Sequence, residues 1–246
     1  MKRYLLDLSY KGTEFHGWQL QNNAITIQGE IERVMSMILR EQIRIVGAGR
    51  TDTGVHAKFY VAHFDIENEI SDNKKLVSKL NKILHKDISI KKIEEVSNEF
   101  HSRFDAKSRT YEYHIHLYKN PFLNDLSAFL YFLPDVQKMN EACNILFDYE
   151  DFTSFAKLNS GAKTNLCKIY FAEWKQENDK LIFTIKANRF LRNMVRAIVG
   201  TLLEVGRGKI NINDFRQIIE SKNRSSAGQS VPACGLYLTD IEYDIA

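Results

Sequence analysis

The spacing of apolar residues along the first half of the chain predicts strands and helices in alternation. Residues 3–9 alternate loosely, as in a strand, and a loop containing Gly12 and Gly17 follows. Behind Thr26, a favourable N-cap residue, apolar side chains recur every three or four positions, which predicts a helix over about 27–39. The same criteria predict strands at 43–46 and 58–66, a helix at 72–84 and a strand near 88–95.

The second half repeats this order of elements without repeating the sequence. The pattern predicts a strand at 110–118, a helix at about 135–147, strands at 166–175 and 180–187, helices at 190–205 and 211–221, and a last strand at 236–243. Two such runs indicate an α+β protein made of two ferredoxin-like (RRM-like) halves, each with helices packed on one face of its sheet.

Nothing in the sequence separates the two halves by a flexible linker. No stretch rich in Pro, Gly and Ser lies near the predicted boundary at 104–110. We therefore expect an N-terminal half over 1–105 and a C-terminal half over 106–246, whose antiparallel sheets merge into one central mixed sheet.

Composition excludes several classes of protein. The 246 residues suffice for a full core, and 44% hydrophobic residues with only 3 Pro and 12 Gly argue against a disordered or collagen-like chain. Asp7 interrupts the N-terminus before an apolar signal segment could form, and no run of about 18 apolar residues follows. The 3 cysteines form no C-x-x-C motif. We expect a cytoplasmic protein without a membrane partner.

Positive charge is concentrated in about one sixth of the chain. The segment 186–224 contains nine basic and three acidic residues, whereas the whole chain has a net charge of only +3. This distribution favours an anionic partner, although a solvated basic surface without a partner remains an equal alternative.

The glycine-rich segment at 46–57 is the strongest candidate for chemistry in the first half. Asp52 is its one carboxylate, and it is flanked by Arg50 and His56. A loop that presents an acid beside an arginine is typical of a functional carboxylate. The alternative is an Asx-turn, in which the Asp52 side chain only bonds its own backbone.

Other enzyme templates fit poorly. Gly47 and Gly49 resemble the start of a dinucleotide-binding fingerprint, but Asp52 occupies the third glycine position and a strand, 58–64, follows where a helix is required. His114 and His116 share one face of a strand without a third metal ligand. Cys143 lies among apolar residues and is better explained as core. We therefore expect neither a cofactor nor a metal.

Two segments of the second half combine arginines with aromatic residues. The predicted helix at 190–205 places Arg189, Arg192 and Arg196 opposite its apolar face, so one of them could pair with a buried carboxylate such as Asp52. An ordinary polar helix face explains them equally well. Arg109 and Tyr111 lie in a segment, 103–113, whose mixture suits phosphate pairing and base stacking.

Several segments together resemble one family, the tRNA pseudouridine synthase A family. They occur in family order and cover nearly the whole chain, and although each is weak alone, the ordered set is specific. The similar segments are YKGT (10–13), GWQ (17–19), GRTDTGVHA (49–57), RTYEY (109–113), DFTSF (151–155), FLRNMVR (190–196) with Gly200, and PACGL (232–236). Thr53 departs from the usual Ala, and Glu150 stands where a His is common.

The resemblance implies an isomerase that converts uridine to pseudouridine at positions 38, 39 and 40 of the tRNA anticodon stem-loop. It implies the pseudouridine synthase fold and a homodimer that works without cofactor or metal. It also implies site roles. Asp52 is the catalytic nucleophile, Arg196 its partner, and Tyr111 stacks on uracil, while Arg50, Arg109, Arg189 and Arg192 are expected to contact the RNA.

Two other functions stay open on the sequence alone. The basic segment 186–224 and the aromatic strands would also suit a non-catalytic RNA-binding module, or a synthase acting on another RNA. A nucleotide-dependent oxidoreductase would rest on Gly47 and Gly49 only. The isomerisation gains and loses no atom, which agrees with the missing cofactor motif.

Overall fold

A computed structural model describes residues 1–158, 161 and 163–244. The chain splits into two compact units. The first contains Met1–Lys107 together with the segment that starts at Leu238, and the second contains Ser108–Tyr237. The C-terminal segment is therefore grouped with the N-terminal part of the chain.

In the first unit, antiparallel strands are combined with two helices. Its strand order is β4-β1-β3-β9, and the short β2 pairs with β3. The elements are β1 (Lys2–Tyr10), α1 (Ile27–Leu39), β2 (Ile45–Gly47), β3 (His56–Ile66), α2 (Asn73–Ile83), β4 (Ile88–Val96) and β9 (Leu236–Tyr243).

Local sequence signals explain why these elements begin where they do. The Thr26 hydroxyl accepts a hydrogen bond from the Gly29 N–H, and the Asp72 carboxylate accepts one from the Lys75 N–H, so both helices have N-caps. From Tyr4 to Tyr10, every second residue of β1 is buried in the core. The predicted elements of this half are all present.

The described residues of the second unit form three α-helices and four strands. Its strand order is β5-β8-β7, and the two-residue β6, which the pattern does not predict, runs parallel to β5. The elements are β5 (Ala106–His116), β6 (Ala128–Phe129), α3 (Val136–Ile145), β7 (Ile169–Glu177), β8 (Lys180–Ala187), α4 (Met194–Gly206) and α5 (Ile212–Glu220).

Helix α4 corrects one prediction. It begins at Met194 rather than at residue 190, because the N-cap Asn193 adopts a left-handed conformation with φ of 66°. Arg189 and Arg192 therefore precede the helix and do not lie on its face. The side predicted to be polar is also covered, since a Cβ on Gly200 would lie 1.9 Å from the carbonyl oxygen of Gln229. The glycine makes room for another segment of backbone, as the sequence suggested.

The predicted fold class is confirmed. The described residues form an α+β protein with five α-helices and one mixed sheet. Within the described ranges, no helix is both long and apolar enough to cross a membrane.

Candidate active site

The loop between β2 and β3 carries the two predicted site residues of the first unit. Asp52 is half-buried and Arg50 is exposed. The backbone turns directly at Asp52, because its carbonyl accepts a hydrogen bond from the Val55 N–H at 3.1 Å and Gly54 has a φ of +79°. The Arg50 Nε donates to the Gln19 Oε1 at 3.2 Å.

The backbone immediately before Asp52 is held by the segment 17–18. Gly17 has a φ of +84°, and a Cβ there would lie 2.4 Å from the carbonyl oxygen of Thr51. The Trp18 N–H donates to that same oxygen at 3.2 Å. The Thr51 hydroxyl, which is buried, lies 2.9 Å from the Tyr10 hydroxyl. These contacts fix the peptide that leads into Asp52.

Buried aromatic rings support the start of the same loop. Trp18 stacks on Tyr60 with ring centroids 4.0 Å apart, and the Tyr60 hydroxyl donates to the carbonyl of Gly49. A Cβ on Gly47 would lie 2.2 Å from that hydroxyl oxygen. Gly47 is therefore needed for close packing rather than for a nucleotide phosphate.

The far end of the loop is fixed through His56, to which the structure gives a positioning role. Its buried Nδ1 accepts a hydrogen bond from the Gly12 N–H at 3.0 Å. A Cβ on Gly12 would lie 2.0 Å from the carbonyl oxygen of Val55. The loop 48–55 is thus fixed on both sides of Asp52 by main-chain contacts with the loop after β1.

Strand β5 of the second unit carries Tyr111 and Arg109. Tyr111 is half-buried, and its ring meets that of Phe190 edge-to-face at 5.2 Å. Tyr113 is fully buried and donates to the carbonyl of Pro232, which confirms that one of the two tyrosines serves sheet packing. The Arg109 Nη1 donates to the carbonyl of Asn188 at 3.0 Å.

Arg196 lies in the first turn of α4, against the segment 228–231. Its Nε donates to the Val231 carbonyl at 2.7 Å, and its own carbonyl accepts from the Val231 N–H at 3.2 Å. The Asn193 amide donates to the Ser230 hydroxyl at 2.6 Å. Of the other two arginines, Arg189 is half-buried and Arg192 is exposed. The backbone around Arg196 is therefore well defined.

Part of the positive charge predicted at 186–224 is neutralised within the second unit. At least four of its nine basic side chains form ion pairs: Arg207 and Lys209 with Glu204, Arg216 with Asp148, and Lys222 with Asp151. Charge counting along the sequence cannot separate these from basic residues that meet RNA.

One group of possible metal ligands occurs among the residues that the structure describes. It consists of Glu14, His85 and Asp87. The two ring nitrogens of His85 face different carboxylates, and the Lys86 ammonium lies 3.9 Å from Glu14, so the contacts are those of a surface ion-pair cluster. His114 is not in this group. Its Nε2 lies 2.8 Å from the Glu112 carboxylate.

Comparison with known proteins identifies the class to which this fold and these motifs belong. A family model described as tRNA pseudouridine synthase matches residues 8–105 and 143–244. The chain therefore belongs to the tRNA pseudouridine synthase family, which makes it an isomerase that modifies RNA.

Individual relatives are similar over their full length. A protein of Parabacteroides distasonis named tRNA pseudouridine synthase A is 54% identical over 99% of this chain and 96% of its own. Proteins with the same name from Bacteroides fragilis and Anoxybacillus flavithermus are 52% and 42% identical, over 99% of this chain and 97% and 100% of theirs.

Proposed function

We propose that this protein converts uridine to pseudouridine at positions 38, 39 and 40 of the tRNA anticodon stem-loop. The observation that carries the proposal is full-length similarity, at up to 54% identity, to proteins named tRNA pseudouridine synthase A. The family motifs are retained at the loop around Asp52, on β5 and at the start of α4.

The reaction needs a catalytic carboxylate but no external reactant. The N1–C1′ bond of uridine breaks, the uracil turns, C5 bonds to C1′, and the proton lost from C5 is balanced by one gained at N1. We assign this role to the Asp52 carboxylate, which can attack C1′ or C6 as a nucleophile or remove a proton from the sugar. No cofactor and no metal take part. Water has to be kept out while the base is detached, because hydrolysis would otherwise compete.

The remaining roles follow the family resemblance. Arg196 is the proposed partner that keeps the Asp52 carboxylate ionised and oriented. Tyr111 is proposed to stack on the uracil, a role that its half-buried ring suits better than that of the fully buried Tyr113. Arg50 would help displace the target nucleotide. Contacts to RNA phosphates are assigned to Arg109, Arg189 and Arg192.

Mapping of pseudouridine at single-nucleotide resolution tests the proposal. Purified protein incubated with unmodified tRNA transcripts is expected to produce pseudouridine at positions 38–40 and nowhere else in the tRNA. A transcript with cytidine at those positions is the matched control and should remain unmodified. Product at other positions would assign the enzyme a different target, and tRNA binding without product would favour the non-catalytic RNA-binding module.

We also propose that the protein works in the cytoplasm as a homodimer. The cysteines are free in the structure, which suits a reducing compartment. Support for a dimer comes from the segment 118–133 of the second unit, called the apolar patch below, because it exposes several large apolar side chains, with Phe122 87% and Tyr131 85% exposed. Its other exposed apolar residues are Tyr118, Leu126, Phe129 and Leu133.

Charges introduced into this patch are expected to separate the dimer. The double variant Phe122→Asp/Tyr131→Asp should sediment with half the mass of the wild type, because a buried apolar interface cannot accommodate two unpaired carboxylates. Sedimentation equilibrium at micromolar concentration measures the mass. Tyr170→Asp, on β7, provides the matched control and should stay dimeric. A monomeric wild type would contradict the proposal.

A further inference from the structure

We propose that the turn His101–Asp105 is a second RNA contact, in which an unpaired base stacks on Phe104 while Arg103 pairs with a backbone phosphate. This inference rests on the proposed function only in taking tRNA as the partner. It concerns a base other than the target uridine, and it uses residues of the first unit that are not among the site residues proposed above.

Hydrogen bonds make this turn rigid. The carbonyl of His101 accepts from the N–H groups of Phe104 and Asp105 at 3.1 and 3.0 Å. The His101 Nδ1 accepts from the N–H of Arg103 at 3.2 Å, and the Asp105 carboxylate accepts from the N–H of His101 at 2.7 Å. The Phe104 backbone is therefore fixed before any ligand arrives, which lowers the entropy lost on binding.

The turn is also anchored to the first unit. Ser102 is fully buried, and its hydroxyl donates to the carbonyl of Val46 at 2.6 Å. The Tyr243 hydroxyl donates to the Ser102 carbonyl at 2.6 Å, and the Arg3 Nη1 donates to the Phe100 carbonyl at 2.9 Å. The Ser102 N–H donates to His63, and burial lowers the pKa of that imidazole to about 4, so it accepts as the neutral form at neutral pH.

In contrast to this buried anchor, the tip of the turn is open to solvent. Phe104 is 72% exposed, although its ring is supported on one side by the His101 ring at 4.3 Å between centroids. The Arg103 guanidinium carbon lies 5.5 Å from the Phe104 centroid. An aromatic ring held in place beside a cation is the arrangement that stacks a nucleobase and pairs with its phosphate.

The surroundings of Phe104 favour a nucleobase over a protein surface. Its exposed neighbours in the turn, Arg103 and Asp105, are charged, and so is Lys107 just beyond it. Within the turn, Phe104 is thus the exposed apolar side chain, and its ring offers an apolar surface about the size of one base. The apolar patch at 118–133 differs, because several large apolar residues are exposed within that one segment.

Tryptophan fluorescence can test the contact directly. Both native tryptophans are buried, Trp18 at 2% and Trp174 at 1% exposure, so Phe104→Trp adds the one tryptophan that reaches solvent within the described structure. Unmodified tRNA is expected to quench the emission of this variant and to protect it from iodide. Tyr170→Trp, exposed on β7, is the control and should not respond. The proposal is wrong if the Phe104→Trp variant binds tRNA as tightly as the wild type and bound tRNA changes neither its emission nor its quenching by iodide.

Binding and turnover of Phe104 variants provide a second test. Phe104→Ala should weaken the Kd for tRNA about tenfold, the effect expected for losing one stacked base, and should raise KM similarly. The rate at saturating tRNA should change less than twofold, and Phe104→Tyr should restore binding because it keeps the ring. Equal binding by Phe104→Ala and wild type, or a loss that Phe104→Tyr does not restore, would contradict stacking.

The two proposals can fail separately. If the wild type forms no pseudouridine but tRNA quenches the emission of the Phe104→Trp variant, the enzymatic proposal is wrong and the stacking contact stands. If pseudouridine forms at positions 38–40 and the emission of the Phe104→Trp variant does not respond to tRNA, the stacking contact is wrong and the enzymatic proposal stands.

Discussion

Replacing Asp52 with Asn is expected to lower the rate of pseudouridine formation by more than about 10⁴-fold, the scale found when a nucleophile is removed. The amide has nearly the same shape as the carboxylate, and the turn at this position is closed by the backbone bond from Val55 to the Asp52 carbonyl. The loop should therefore keep its conformation while the negative charge and the nucleophilic oxygen are lost. The Kd for tRNA should change less than about threefold.

Single-turnover reactions with excess enzyme, followed by mapping of pseudouridine, measure this loss. Asp240→Asn is the matched control, since it makes the same chemical change at an exposed position of β9. It should retain the wild-type rate. Undiminished product from Asp52→Asn would remove Asp52 from its proposed role. If the wild type and Asp52→Asn bind tRNA equally and neither forms product, the protein is a binding module.

Elements whose signals are local in sequence could be predicted. Helix α1 begins at Ile27, directly after the Thr26 cap, and α5 begins after Asn211, where a capping box with Asp214 is formed. In strand β1 every second residue from Tyr4 to Tyr10 is buried, so these apolar positions follow a period of two. In each case the determining residues lie within a few positions of the element.

Features that depend on distant segments could not be predicted. The start of α4 is shifted by the left-handed Asn193, whose side chain bonds Ser230, and its presumed polar face is covered by backbone around Gln229. No periodicity within 190–205 contains that information. The sequence also does not predict that the segment starting at Leu238 belongs to the first unit, because tertiary structure determines which strands pair.

For the candidate site, the sequence predicts the types of functional group but not the contacts that hold them in place. A lone acid in a glycine-rich loop singles out Asp52 from the sequence, and the family resemblance adds its role. Nothing in the sequence indicates that Trp18 and Tyr60 support that loop, nor that His56 accepts a bond from the Gly12 N–H rather than facing a substrate. Such positioning contacts join residues that are far apart along the chain, so only the three-dimensional structure identifies them.

Gly17→Ala should impair the enzyme although residue 17 takes no part in the chemistry. At a φ of +84° an alanine is strained by about 1–2 kcal/mol. Its Cβ would also lie 2.4 Å from the Thr51 carbonyl oxygen and 3.2 Å from the Asp52 carbonyl carbon, so the loop must move. Because a shift of about 1 Å in a reacting group can cost about a hundredfold in rate, we expect a loss of that size in the single-turnover rate.

Gly49→Ala separates this effect from a general intolerance of the loop to larger residues. Gly49 lies closer to Asp52 in sequence, but its φ is not in the left-handed region and no described atom lies within 4 Å of the added Cβ. Its Tm should equal or slightly exceed that of the wild type, since alanine restricts the unfolded chain. Gly17→Ala should lower the Tm as well as the rate. If Gly17→Ala instead keeps both wild-type values, the contact between Gly17 and the Thr51 carbonyl does not position Asp52.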